Sequence, residues 1–395
     1  MISRILEIMK YYLIALFSST FLFTTHSALG QTNFRDLEFR DAVAQANEED
    51  KLLFVYAFTD WCGWCKVMDR ETFSTDSTGH FMNQKFVSIK VNMEEGFGID
   101  LAMKYRVSSY PHYLIFNGEG QLLAKFGGFL EPDPFRQKVK QVLLSENRLP
   151  KLEDPMNFDL GFPDFYRNSF KKRKERSYPS PEELQAYLDA HPNVTDQAVW
   201  GVAYRFVNDG PYVEKIIDSK EALAEKYGKE DVMAKLSRIV FNEVKAAIKN
   251  DDEGGFQVAL NSADELLGAD ADEYKFRYKL YYRQMTGDWL SYAKLGNSLA
   301  DKGIAENASS LNQIAWTLYE KEVPTESVQL AKEWMKDVVS ESPSYAHYDT
   351  YAAILFKLGL KDDAITAANK AIEMAKQNEE DYKGTEELLQ KIKAL

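Results

Sequence analysis

Residues 51–66 read KLLFVYAFTDWCGWCK, and this junction constrains the fold more than any other stretch of the chain. Lys51 to Thr59 is a continuous apolar run rich in aromatics and strand formers, which reads as a buried central strand. The stretch that follows, CKVMDRETF, is compatible with a helix. The two cysteines of the whole 395-residue chain, Cys62 and Cys65, fall at this strand-to-helix junction. A bridge between them would close almost the shortest possible loop, where loop-closure stabilisation is least. The pair therefore serves chemistry rather than stapling.

A cysteine at a helix N-terminus has the positive end of the helix dipole beside its sulfur, which favours the thiolate. Cys62 is expected there, with Cys65 one turn further in, on the same face and more buried. Cys62 can then attack a disulfide, and Cys65 can displace the reduced product from the mixed disulfide. The reverse direction uses the same atoms. Zinc would need two further ligands, and the histidines at 26, 80, 112, 191 and 347 show no metal spacing. Neither a P-loop nor a G-x-G-x-x-G is present, and no cofactor or metal is expected.

Around this junction, FRDLEFRDAVAQANEED (34–50) has helical spacing, KFVSIKVNM (85–93) reads as a second buried strand and GIDLAMKYRV as a helix. YPHYLIFNGEGQLLAKFGG reads as a hairpin, with strands Tyr113–Phe116 and Gln121–Phe126 about an Asn117-Gly118-Glu119-Gly120 turn. PDPFRQKVKQVLLSE (132–146) closes the region with a helix opened by prolines. The expectation is an α/β domain: a mixed sheet covered by helices on both faces.

This order, the strand–C-x-x-C–helix junction and the later YRVSSYPHYLIFNGEGQ resemble thioredoxins over roughly residues 35–147. Trp61-Cys62-Gly63-Trp64-Cys65-Lys66 is similar to the thioredoxin active-site motif, and Tyr110-Pro111 to its cis-proline. The run through Met68, Glu71 and Phe73 into FVSIKVNMEE looks like a subgroup of exported bacterial thioredoxin-like proteins. The resemblance implies that Cys62 and Cys65 are catalytic. Trp61, Gly63, Trp64, Lys66, Tyr110 and Pro111 would shape the site, with the Tyr110 backbone pairing with an extended substrate and Trp64 offering it an apolar contact. Strongly oxidising relatives carry a histidine between the cysteines. Gly63 and Trp64 carry no charge, which tilts the reading toward a reductase or a moderately poised exchanger. The sequence departs from the family at Tyr56, where thioredoxins usually hold a buried acid, while Lys90 matches the family's lysine on the neighbouring strand. Water, Lys90, Glu94 or Tyr56 is then expected to handle the Cys65 proton. His112 is expected at the surface.

Residues 151–180 hold several prolines, mixed charge and the basic cluster KKRKER (171–176), and read as a linker. From 181 to 395 apolar residues recur at three and four, so an all-α domain follows. Residues 345–376, with Ala352, Leu355, Gly359, Ala364 and Ala371, resemble a tetratricopeptide-type hairpin. Residues 311–339 superpose on it with Ala315 opposite Ala352, and 278–300 are a fainter copy. One such hairpin cannot bury its own face, so a helical-repeat domain is expected.

At the other end, Arg4 and Lys10 precede an apolar run from Tyr11 to Phe23, too short to span a membrane, and then HSALGQ. Ala28 and Gly30 suit a signal cut before Gln31. The expectation is a signal peptide over 1–30, export to the periplasm or beyond, a thioredoxin-like domain over 31–150 and the helical domain over 181–395. A net charge of −13 argues against nucleic acid. The expected function is exported thiol–disulfide oxidoreductase, contributing to cell redox homeostasis. Its partners would be protein thiols and disulfides, a membrane or soluble electron donor and a protein held by the helical domain. The rival is a helical-repeat adaptor whose thioredoxin-like domain is mainly a recognition surface, although an adaptor needs neither cysteine nor Pro111.

Overall fold

The computed structural model describes residues 30–145, 154–378 and 380–394. The expected signal, but for Gly30, lies outside them. The chain packs as two units: one runs to Val207 and takes in Glu214–Val232, and the other comprises Asn208–Val213 and the chain from Met233 on.

The first unit is built on a mixed five-stranded sheet of order β1-β3-β2-β4-β5. The strands are β1 (Phe34–Arg35), β2 (Leu52–Phe58), β3 (Phe86–Asn92), β4 (His112–Phe116) and β5 (Leu122–Gly127). β3 runs parallel to β1 and β2, whereas β4 is antiparallel to β2 and β5 to β4. Successive side chains of a strand point to opposite faces. Phe54 and Tyr56 therefore share one face of β2, and the register sets Tyr56 beside Lys90 on one neighbour and Tyr113 on the other.

That face is covered by α2 (Gly63–Val67), which runs on through a π-helical turn at Met68–Thr72, and by α3 (Asp76–Lys85) and α5 (Pro132–Ser145). Its core is aromatic: Tyr56 lies 4.9 Å from Phe73 and Phe54 lies 5.9 Å from Phe135, ring centre to ring centre. α1 (Phe39–Glu48) and α4 (Gly96–Tyr105) cover the opposite face, where Phe39 and Tyr105 meet Phe116 edge-on. One local expectation changes. Phe34 and Arg35, read as helix, pair with Ser88 and Ile89 as an edge strand. The helix α3 lacks a strong apolar stripe; its buried positions are Thr78, Gly79 and Met82.

The expected linker does not act as a spacer. Beyond 153 it packs on the sheet domain, because buried polar groups of α4 need its backbone. The ammonium of Lys104 donates to the carbonyls of Asp154 (3.0 Å), Pro155 (2.7 Å) and Asn157 (2.6 Å). Phe158 meets Phe97 edge-on at 4.6 Å. In α6 (Asp164–Asn168) the buried Tyr166 donates its hydroxyl to the Met103 carbonyl at 3.1 Å. The helices α7 (Pro181–Ala190), α8 (Gln197–Phe206), α9 (Tyr212–Asp218) and α10 (Lys220–Tyr227) follow, and then α11 (Lys229–Lys249).

Arg106 ends α4 in the left-handed conformation, φ 58°. Its guanidinium donates twice to one oxygen of Asp231, at 2.8 and 2.5 Å, and once to the Lys104 carbonyl. Lys125 of β5 pairs with the same carboxylate. Both the Arg106 and Asp231 side chains are buried, and a buried charge needs such a partner. The contact ties Asp231 to the sheet domain, and the first compact unit closes with Val232.

Every regular element among the described residues of the second unit is a helix. After α11 come α12 (Glu253–Leu267), α13 (Ala271–Thr286), α14 (Trp289–Ala300), α15 (Ile304–Glu320), α16 (Thr325–Glu341), α17 (Tyr345–Lys357), α18 (Lys361–Gln377) and α19 (Lys383–Lys393). The segments read as hairpins become α13–α14, α15–α16 and α17–α18. Ala315, Ala352, Ala364 and Ala371 are buried, letting helices approach closely. At Gly296 a Cβ would come within 2.6 Å of the Trp334 ring, so the close approach of α14 and α16 depends on glycine there. Gly359 turns the chain between α17 and α18 at φ 74°, a conformation that favours glycine.

Candidate redox site

β2 delivers the chain to the site. Its last residues lead through Thr59, whose carbonyl accepts the Cys62 N–H at 3.1 Å, into the first turn of α2. Cys62 is the N-cap of that helix, and the backbone N–H of Cys65 donates to its sulfur at 3.1 Å. This N–H and the helix end place partial positive charge on the Cys62 side of the pair. Cys62 and Cys65 form a disulfide. The expected contrast in burial is slight: the residues are 4% and 2% exposed.

The neighbours of the pair are not buried. Trp61 is 59% exposed and Trp64 61%, while Gly63 and Lys66 also face solvent. Trp64 lies 5.4 Å from Phe129, on a loop fastened to α2 by the Thr72 hydroxyl donating to the Leu130 carbonyl at 2.7 Å. Trp61 packs edge-on against Tyr110 at 6.0 Å, and the Tyr110–Pro111 peptide is cis. Burial, reinforced by Glu94, pushes the Tyr110 phenol up to about 12. Phe129 is not legible as a site residue in the sequence, because a lone aromatic after two glycines carries no motif.

The three side chains expected to move the Cys65 proton occupy different settings. Tyr56, in the place of the usual buried acid, donates its hydroxyl to the Cys65 carbonyl at 2.9 Å. Burial, with a contribution from Asp69, raises its pKa far above the ordinary range. Glu94 accepts the indole N–H of Trp61 at 3.1 and 3.0 Å on its two oxygens and is ion-paired with Arg176. Lys90 pairs with Asp69 at 2.6 Å and lies 5.2 Å above the Tyr56 ring. Asp69 follows Cys65 by one turn, a spacing that could have flagged it.

His112 is the clear departure from expectation. Both its ring nitrogens are buried, and by strand alternation it points to the sheet face opposite Tyr113. Burial and the nearby Lys125 push its pKa down to about 3 against the pull of Asp231, so the ring is neutral.

Residues 26–110 match the family Thioredox_DsbH, described as a protein of unknown function, DUF255. A solution structure of a candidate disulphide-isomerase from Bacteroides thetaiotaomicron is 37% identical, covering 29% of this chain and 96% of that one, with a TM-score of 0.28. The chain belongs to the thioredoxin-like family. Thioredoxin-T of Drosophila melanogaster is 34% identical over 80 residues, 20% of this chain and 47% of that protein. An uncharacterized protein of Caenorhabditis elegans is 35% identical over 74 residues, 18% of this chain and 10% of its own length. The chain thus spans about half of one curated relative and about a tenth of the other. The likeness falls on the thioredoxin-like domain. That domain has the mixed sheet of the family, and its cysteine pair gives it a general thiol–disulfide redox role.

Proposed function

We propose that this protein is an exported thiol–disulfide oxidoreductase acting on protein substrates, poised toward reduction. The observation that carries the reading is the Cys62 sulfur at the N-cap of α2, accepting the Cys65 N–H and flanked by two exposed indoles. In the reducing direction the Cys62 thiolate attacks one sulfur of a substrate disulfide. That S–S bond breaks, a Cys62–substrate disulfide forms, and the departing thiolate takes a proton from water. Cys65 then loses its proton and attacks the Cys62 sulfur, which closes the Cys62–Cys65 bond and releases the second substrate thiol. Two electrons and two protons pass to the substrate, and a dithiol protein on a membrane or in solution restores them.

Tyr56 spends its proton on the Cys65 carbonyl and Glu94 is held by Trp61 and Arg176, so water, or the Asp69 carboxylate that Lys90 pairs with, receives the Cys65 proton. Neutral Gly63 and Trp64 between the cysteines support the reducing bias. Export rests on the sequence of the first thirty residues and on the persistence of disulfides outside the cytosol. The helical domain, read as a degenerate tetratricopeptide-like array, holds or orients a client protein, and no diffusible cofactor takes part.

The test is trapping. In Cys65→Ser, Cys62 still attacks but nothing releases its substrate, so covalent complexes that dissolve in reductant accumulate. They should be absent in Cys62→Ser. Trapping by Cys62→Ser and not by Cys65→Ser would reverse the roles, and trapping by neither would remove the oxidoreductase reading.

A further inference from the structure

The basic cluster 171–176 has no part in the exchange chemistry, yet the fold brings it to the rim of the redox site. Lys172 pairs with Glu95 and Arg176 with Glu94, residues 77 and 82 positions earlier in the chain. The two pairs differ. Both partners of Lys172–Glu95 are about half exposed, and pairs of that kind contribute little. Glu94 is almost completely buried, and it accepts from Arg176 and from the indole N–H of Trp61. Arg176 is itself anchored, its Nε donating to the Lys171 carbonyl at 3.0 Å.

We infer that Arg176 is a positioning residue: through Glu94 it fixes the indole of Trp61 as one wall of the groove in which substrate meets Cys62. The inference rests on the oxidoreductase reading for its kinetic consequence but not for its structural one. The indole of Trp61 is more than half exposed beside the disulfide, so its apolar face is open to a polypeptide that approaches Cys62. Its only fixed polar handle is the N–H, held by a carboxylate whose charge Arg176 balances. With the guanidinium gone, a buried carboxylate is left uncompensated. It turns toward water, and the indole loses its hold. The opposite wall, Trp64 against Phe129, is fastened independently by Thr72 and is unaffected.

Two exposed indoles beside the disulfide, one against Tyr110 and one against Phe129, suit an extended polypeptide with an apolar side chain next to its cysteine. Aromatic walls give contact area at little entropic cost only if they are held still. The substrate class is therefore unfolded or locally extended protein disulfides. Segment 171–176, outside the sheet domain in sequence, completes the site that grips them.

The experiment uses the full chain. The Trp61 indole N–H is assigned in NMR spectra by its loss in Trp61→Phe, and its hydrogen exchange is followed. In parallel, KM and kcat are measured with ribonuclease A carrying scrambled disulfides, with dithiothreitol as the reductant that returns Cys62–Cys65 to the dithiol. In Arg176→Ala, protection of the indole proton should fall about tenfold and KM rise about fivefold, with kcat within about twofold. Arg176→Lys, a point charge in place of a fork, should restore part of both. Lys172→Ala, which removes a charge from the same segment without touching Glu94, should alter neither. Glu94→Gln, which keeps an acceptor for the indole and removes the ion pair, gives a second route should Arg176→Ala fail to fold. It should show intermediate protection. Unchanged indole exchange in folded Arg176→Ala, or equal effects of Lys172→Ala and Arg176→Ala, overturns the inference. If wild-type protein turns over no disulfide, the oxidoreductase reading fails while indole exchange still decides the clamp.

Discussion

Tyr56 shows how one residue alters a site without removing it. Where the resemblance leads one to expect a buried acid, a phenol spends its proton on the Cys65 carbonyl, at 2.9 Å, and so fixes the backbone at Cys65. Trp64 is open to solvent and lies between the cysteines, so it is the position from which the poise can be tuned. Trp64→His would place an imidazolium near the Cys62 thiolate and stabilise the reduced form. The reduction potential should rise by about 30 mV, a change of about 1.4 kcal/mol. Equilibration with glutathione measures it, and an unchanged or lower potential would count against the thiolate assignment. His112 sets a pH dependence. Its folded pKa is about 3, below the ordinary 6.5, because burial and Lys125 disfavour the charged ring. Between those values the unfolded chain binds a proton that the folded chain refuses. Stability therefore falls as pH drops below about 6.5, and this loss is complete only near 3. Urea unfolding at pH 7 and pH 4 should show a decline of up to about 3 kcal/mol from this group. His112→Gln should flatten the curve; equal slopes in the two proteins would contradict the assignment.

At the scale of elements, what was legible followed from local pattern. β2 could be read because it is a continuous apolar run, β3 because strand-forming apolar residues alternate along it, the β4–β5 hairpin because Asn117-Gly118-Glu119-Gly120 marks its turn, and the α15–α16 and α17–α18 pairs because small and apolar residues recur at helical spacing. β1 could not, since two residues carry no period and Phe34–Arg35 fits a helix as well. The cysteine pair and Pro111 were legible as motifs. Arg176 at the site was not, because it reaches Glu94 across 82 residues; nor was the Arg106–Asp231 contact, across 125. Pairings of that reach leave no local trace. The second of them sets a strong expectation. Burial works against the Asp231 charge, but Arg106 and Lys125 outweigh it and hold its pKa below the ordinary value. Asp231→Ala leaves two cations without their carboxylate and should cost about 3–5 kcal/mol, read by urea denaturation. A loss under about 1 kcal/mol would mean that water reaches the cluster.

At the scale of the whole molecule, a thioredoxin-like domain is extended by helices that supply its buried counter-charge and its rim, and a second helical unit follows. The fragment 31–150 omits the carbonyls that hold Lys104, the Asp231 that balances Arg106, and Arg176. It should be much less stable than 31–232, which should give a cooperative melt and retain thiol exchange. Calorimetry of the two fragments decides this, and equal melting temperatures would place the boundary at 150. The central claim is that Cys62–Cys65 exchanges rather than staples. It is tested most directly by equilibrating the intact protein in graded glutathione buffers, trapping thiols by alkylation and weighing the products. The account predicts a single two-electron transition with a midpoint between about −270 and −180 mV, toward the reducing end. A pair that stays oxidised below about −300 mV, or opens only when the protein unfolds, would contradict it.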